Sequence, residues 1–178
     1  YEAQNYLGIV FYNNKFIDRD ITKSIHYWTL SADQNYPKAQ YNLGGIYYEG
    51  KYIQRDIKKA IHYITLSADQ NYVDAQKLLG SIYYNNVDVP RDINKAIHYF
   101  TLSSNQNDVI SQFNLGLIYY EGKYIQRDID KAIYYFTLSS KQEFRESQKY
   151  WSFIFYTGKY IPRDINKSIY YLTLASNN

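Results

Sequence analysis

Several groups of residues in this 178-residue chain have the types and spacing that chemistry asks for. Gly45–Lys51 reads G-I-Y-Y-E-G-K, which has the G-x-x-x-x-G-K spacing of a phosphate-cradling loop. Tyr52 follows, where such a loop needs Ser or Thr to reach magnesium, and the residues between the glycines are bulky and helical in pattern. Nucleotide binding is not expected there. His26, His62 and His98 are the only histidines, and they occupy one recurring position. Packed helices stand about 8–10 Å apart, whereas zinc needs its ligands at about 2 Å, so these three cannot share one ion. Arg55-Asp56 with Lys59 has the makings of acid–base work, but it recurs five times along the chain. A capping carboxylate with solvated or loop-pinning cations explains that recurrence better. Asn166-Lys167-Ser168 is a glycosylation sequon placed in a first helical turn. No nucleophile stands beside a base, and the chain has no Cys to hold a metal or a disulfide. The residues point to no catalytic site, no metal and no cofactor.

Stepping along the sequence shows what those residues serve. Arg-Asp pairs begin at Arg19, Arg55, Arg91, Arg127 and Arg163, each 36 residues after the last. EGKYIQRDI occurs at Glu49–Ile57 and again, letter for letter, at Glu121–Ile129. The chain is a tandem array, with units at 3–38, 39–74, 75–110, 111–146 and 147–178, and it reads as a single repeat domain over 1–178. A hydrophobic content of 46% is ordinary for a folded protein, and no apolar run reaches membrane-spanning length. No secretory signal opens the chain, which leans the expectation slightly toward the cytoplasm. A net charge of +3 is too weak to imply a polyanionic partner. The chain starts at Tyr1, two residues ahead of the first unit, as an excerpt from a longer protein would. Flanking repeats or a capping helix are expected, and with them end-to-end association of the excerpt through Ile169 and Leu172.

Within the second unit, Ala39, Leu43 and Ile46 fall at i, i+4 and i+7, on one helical face. Gly44 beside them recurs as Gly8, Gly80 and Gly116, with Ser152 in the last copy. A mid-helix glycine costs about 1 kcal/mol relative to alanine, so five small residues here predict close approach by another helix. Gly50 and its counterparts Asn14, Asn86, Gly122 and Gly158 are the types that end helices in a left-handed cap. Asp56 then reads as the N-cap of a second helix, whose apolar stripe is Ile57, Ile61, Ile64 and Ala68. Asn71, like Asn35 and Asn107, closes it, while Glu143 departs from the pattern and predicts a different fourth connection. Pro90 and Pro162 fall harmlessly in inter-helix loops.

LGGIY at Leu43–Tyr47, LGSIY at Leu79–Tyr83 and LGLIY at Leu115–Tyr119 resemble the L-G-x-x-Y core of tetratricopeptide helices. Ala96 with Phe100, and Ala132 with Phe136, resemble that family's A-x-x-x-F. The 36-residue period, the longer loop before Arg-Asp, K-A-I and the L-S-A-D-Q-N ending are similar to the Sel-one-like repeat, a relative of the tetratricopeptide repeat. Copy five is the weakest, with Trp151-Ser152 in place of Leu-Gly. The resemblance implies an all-α, right-handed α-solenoid of five 36-residue helix–turn–helix repeats that scaffolds other proteins and performs no chemistry itself.

Opposite the core stripe, the first helix of the second unit carries Tyr41, Gly45 and Tyr48. Tyr41 becomes Asn5, Lys77, Phe113 and Lys149 in the other copies, while Gly45 becomes Ile9, Ser81, Leu117 and Phe153. Tyr48 stays tyrosine, as Tyr12, Tyr84, Tyr120 and Tyr156. In tetratricopeptide-like folds the first helix lines the concave groove, so the resemblance places this mixed face inside it. Tyr12, Tyr48, Tyr84, Tyr120 and Tyr156, with Tyr41, Lys77, Phe113 and Lys149, are therefore the candidate residues for a protein or peptide partner. Two other roles stay open. The chain could be an architectural spacer whose tyrosines only pack between repeats, or a binder of single-stranded RNA, against which the weak charge argues.

Overall fold

Apolar residues spaced for helices, bracketed by Asp at one end and Gly or Asn at the other, fold into pairs of short antiparallel helices. The structure, a computed structural model, describes residues 1–13, 18–85 and 87–177. Its helices are α1 (Glu2–Tyr12), α2 (Ile21–Ala32), α3 (Pro37–Glu49), α4 (Ile57–Ala68), α5 (Val73–Asn85), α6 (Ile93–Asn105), α7 (Val109–Glu121), α8 (Ile129–Lys141), α9 (Arg145–Thr157) and α10 (Ile165–Asn177). No strand occurs among the described residues. Two compact units result, Tyr1–Asp92 with α1 to α5 and Ile93–Asn178 with α6 to α10.

The caps are those the sequence predicts wherever they are described. Asp20, Asp56, Asp128 and Asp164 each accept a hydrogen bond from the backbone N–H three residues on, at 2.9–3.0 Å. Gly50, Gly122 and Gly158 close α3, α7 and α9 in the left-handed region, with φ of 59–61°. A side chain would fail there for a second reason as well, because a Cβ on Gly50 would stand 2.5 Å from Arg55 Cβ. Asn14 and Asn86, expected at the same position, lie outside the described residues. Asn35, Asn71 and Asn107 take φ of 61–68° after the second helices. Glu143 does the same at φ 60°, so the fourth connection is not different in shape. The backbone bonds explain why: Glu143 N–H reaches Ser140 O and Phe144 N–H reaches Ser139 O, as Asn71 and Tyr72 do one unit pair earlier. The geometry of the joint overrides the residue placed in it.

In the first unit Ala39, Leu43 and Ile46 are buried against Trp28 and Ala32, with Ile9, Ile25 and Tyr63 packed around them. In the second unit Ala132, Phe136, Trp151 and Ile154 form the corresponding cluster. Close helix approach at the small residues is present as expected. A Cβ on Gly44 would overlap Ile64, one on Gly8 would overlap Trp28, and one on Gly116 would stand 2.6 Å from Phe136. In the fifth pair Ser152 fills that space and bonds Ser168 at 3.0 Å, while Leu172, which corresponds to Ile64, is 56% exposed. The second-helix stripe sits slightly differently from the one read in sequence. Ala60, Ile64, Ser67 and Ala68 are buried in α4, whereas Ile57 and Ile61 are only half-buried.

These contacts rank the sequence positions by their effect on stability. Leu79→Ala removes a fully buried side chain and is expected to lower stability by about 2–5 kcal/mol. Asp56→Ala removes a cap and is expected to lower it by about 1 kcal/mol. Urea titrations of both variants check the order, and equal losses would contradict the division into core and cap. Glu143→Asn relieves a left-handed residue and is expected to raise the urea midpoint, by about 0.5–1 kcal/mol in stability. Acid acts on the caps. The Lys23 amide holds the Asp20 carboxyl below the usual range, and the Lys131 amide does the same for Asp128. Because unfolding restores the ordinary value, this stabilisation is complete above about pH 4 and is lost as pH falls through the lower folded values. Asp20→Asn with Asp128→Asn, which keeps capping oxygens, should make stability less sensitive to pH below 4; an unchanged slope would remove the caps from the acid response.

Candidate functional site

The tyrosine face of the first helices is built around the Arg-Asp joint. While Asp opens the second helix, Arg turns back to close the first. Arg55 Nε donates to Tyr48 O at 2.7 Å, Arg91 Nε to Tyr84 O at 2.6 Å, and Arg127 Nε to Tyr120 O at 2.9 Å. Arg19 Nε donates in the same way to Tyr12 O at 2.8 Å. These carbonyls are among those a helix C-terminus leaves without an internal partner. The guanidinium carbons also stand 5.2 to 5.7 Å from the centroids of the Tyr12, Tyr48, Tyr84 and Tyr156 rings. The arginine then reaches the next repeat at one fixed position. Arg19 hydrogen-bonds the Tyr52 hydroxyl, Arg55 pairs with Asp88 at 2.5 Å, and Arg127 lies 4.8 Å from the Tyr160 centroid.

In the Tyr1–Asp92 unit Tyr12 and Tyr48 line one cleft. It has a volume of about 530 Å³, with Gly45 and Ile46 at its base and Tyr12, Tyr41 and Tyr48 among its walls. A Cβ placed on Gly45 would meet nothing within 4 Å, so the missing side chain is what opens the space. Tyr12 OH donates to Glu49 Oε2 at 3.4 Å, and burial together with that carboxylate pushes the Tyr12 hydroxyl up. Burial likewise raises Tyr48, helped by its hydrogen bond to Asp88. Tyr41 is half-buried and packs 5.3 Å from Tyr72. Lys77 is bound to Asp74 at 2.8 Å on its own helix.

In the Ile93–Asn178 unit the corresponding residues are more deeply committed to packing. Tyr120 contacts Phe136, Tyr150 and Tyr160 at 5.5–6.4 Å between ring centroids. Phe113 sits among Phe136, Phe144 and Tyr150 at 5.3–5.9 Å. Lys149 pairs with Glu146 at 3.2 Å and borders a shallow cleft with Tyr150 and Phe153. Tyr156 is 59% exposed. The tyrosine ladder therefore has a packing role at Tyr12 and Tyr120 in addition to any surface it offers.

The other sequence candidates take ordinary places. Gly45–Glu49 is the last part of α3, a helix where a phosphate loop would need irregular backbone. His26, His62 and His98 are exposed, each edge-on to the tyrosine that follows it at 5.1–5.3 Å. Among the described residues no group of three His, Cys, Asp or Glu gathers as a metal site, and no helix is long and apolar enough to cross a membrane. Sequence reasoning missed the buried amides. Gln40 donates to Asn35 Oδ1 at 3.1 Å and accepts from Gln70 at 2.7 Å, while Gln112 accepts from Gln142 at 2.8 Å in the second unit. The signal was available, since Gln4, Gln40, Gln76, Gln112 and Gln148 recur at the full period.

Comparison with known proteins agrees with this architecture. The Sel1 repeat profile matches residues 2–36, 37–72, 73–108, 109–144 and 145–178. Similar solved structures include a protective antigen of uropathogenic Escherichia coli with an SLR fold, at 23% identity and TM-score 0.92, covering 99% of this chain and 38% of that one. A Sel1 repeat protein from Oxalobacter formigenes is similar at 24% identity and TM-score 0.87, over 99% of this chain and 72% of that one. One from Klebsiella pneumoniae gives 21% identity and TM-score 0.58, over 99% and 86%. The chain thus spans well under half the length of the E. coli protein. Comparison with curated protein sequences gives no significant match. The fold is all-α and of the helical-repeat solenoid class, a scaffold type whose members generally mediate protein–protein interactions. With five consecutive repeats over residues 2–178, the chain belongs to the Sel1 repeat family.

Proposed function

We propose that this chain is an interaction scaffold that holds an extended segment of a partner protein along the outer face of its first helices. The observation that carries this reading is the cleft over Gly45, where one repeat lacks the side chain that Ile9, Ser81, Leu117 and Phe153 supply in the others. Its tyrosine walls offer large amphipathic area beside the arginine clips, which touch their rings and carbonyls, so little conformational freedom is lost on binding. The general role of Sel1 repeats in protein–protein contact supports the same reading. Tyr12, Tyr48 and Tyr84, with Tyr41 and Lys77, are the proposed contact residues in the first unit. In the second they are Tyr120, Tyr156, Phe113 and Lys149.

The packing of Tyr12 and Tyr120 makes tyrosine-to-serine changes a blunt test, because lost stability and lost binding would come together. Gly45→Phe is sharper. Phe153 already occupies the equivalent helix position, and replacing a helical glycine with nothing near its Cβ should raise stability by up to about 1 kcal/mol. For a partner captured by the intact chain and then identified, Gly45→Phe should weaken binding at least tenfold by calorimetry while the melting temperature holds or rises. A partner bound equally by both chains would move recognition to another face. Loss of every partner contact only when the chain is unfolded would favour the architectural-spacer reading, which the packed tyrosines also suit.

A further inference from the structure

We infer that the cleft over Gly45 takes a basic side chain, so that the partner segment is one that presents a lysine or arginine there. This rests on the groove reading above and adds the chemistry of what enters it. Among the described residues Glu49 is the one carboxylate lining the cleft, and no lysine or arginine lines it. Its carboxylate is exposed and accepts from the Tyr12 hydroxyl, and among the described residues no cation pairs with it. The two neighbouring acids differ: Asp74 is bound by Lys77 at 2.8 Å and Asp88 by Arg55 at 2.5 Å. Among the described residues Glu49 is thus the carboxylate of this cleft that can take a cation from an outside ligand.

The walls favour the same sign. A tyrosine ring attracts a cation to its face through its quadrupole, and the chain already uses these rings that way. The Arg19 guanidinium carbon lies 5.6 Å from the Tyr12 centroid and that of Arg55 5.2 Å from Tyr48. Both arginines are held by a tyrosine carbonyl, and Arg55 is neutralised by Asp88 as well. Beside the tyrosines, Ile9, Ile46 and Leu78 give the cleft an apolar lining. A long aliphatic stem ending in a cation matches that combination, with methylenes along the isoleucines and leucine and the charged head at Glu49. An acidic side chain would meet the carboxylate unfavourably. A purely apolar one would leave Glu49 without a counterion and desolvate part of it.

The test uses acetylated, amidated heptapeptides of Gly and Ser with one central Arg, Lys, Leu or Glu, titrated into the full chain and followed by NMR shifts. Arg and Lys peptides should bind at least about tenfold more tightly than the Leu peptide, and the Glu peptide more weakly still. Glu49→Gln should shrink the advantage of the basic peptides to less than threefold, and Gly45→Phe should abolish binding of all four. Circular dichroism melts confirm that both variants fold. If the Leu peptide binds as well as the Arg peptide and Gly45→Phe blocks both, the cleft is an apolar socket: the groove reading survives and the charge assignment is overturned. If the Arg and Lys preference persists unchanged in Gly45→Phe, the cations bind elsewhere and the inference fails. Absence of binding by any peptide at millimolar concentration also overturns it, while the groove reading is then decided by the identified partner.

Discussion

Everything in this fold depends on the two helices of a repeat meeting where one of them carries a small residue or no side chain at all. Gly8, Gly44 and Gly116 leave room for Trp28, Ile64 and Phe136, and a single added carbon would collide with each. That contact sets the helices close enough for Ala39, Leu43 and Ile46 to be buried, and it fixes which way the opposite face points. A helical glycine loses about 1 kcal/mol to alanine, but a fully buried Ile or Phe side chain contributes about 1.5–3 kcal/mol, so the exchange favours the glycine. The fifth pair shows the alternative. With Ser152 and Ser168 bonded across the contact, Leu172 is left outside and the stack of Trp151 on Tyr171 takes over the packing.

Apolar packing alone would let such pairs slide, because a helix face repeats every few residues. Polar clips remove that freedom. Ser31 and Ser67 tie the ends of α2 and α4 to the starts of α1 and α3, at 2.7 Å to Tyr1 O and 2.8 Å to Pro37 O. Gln40 joins the preceding Asn35 to Gln70 of its own repeat, and Gln112 does the same with Asn107 and Gln142. Buried amides are costly unless each group finds a partner, which makes them strong determinants of register once they do. The Arg-Asp dipeptide plays the same part at the other end of the pair, with one residue serving the last turn of one helix and the next residue the first turn of another.

The legible parts of the sequence were those governed by local rules. Period, helix pairing, the Asp caps, the glycine ends and the close approach at Gly44 follow from residue type and spacing, and each is present where it is described. What was misread depends on neighbours that the one-dimensional pattern does not display. Glu143 looked like a break in the connection, yet the surrounding hydrogen bonds impose the left-handed turn on it. Ile57 and Ile61 looked like core, yet Ala60 and Ser67 are buried beside Ile64 because the close contact needs small side chains. The arginines were read as solvated or loop-pinning groups, and their bonds to tyrosine carbonyls and rings could not be placed without knowing where the first helix ends. The tyrosine ladder was legible as a face, but its share in packing was not.

These constraints leave little of each repeat free to vary, and that is what directs attention to one position. The positions of Leu43 and Ile46 are large and apolar, those of Ala39 and the contact residue small, the joint Arg-Asp, and the amide positions Gln. The ladder tyrosine is held by its own arginine. At the position of Gly45 the chain carries Ile9, no side chain at all, Ser81, Leu117 and Phe153, within helices of nearly constant length. Ile9 and Leu117 pack against the cores of their units, whereas a Cβ on Gly45 would meet nothing within 4 Å, so residue size at this position sets how far the space beside the tyrosines is filled. The position is also flanked by fixed aromatic rings, so a change there alters the shape of the surface and leaves its frame intact. The caps and polar clips that close each pair do not use this position, so a change there reshapes the surface of one repeat without undoing its joint.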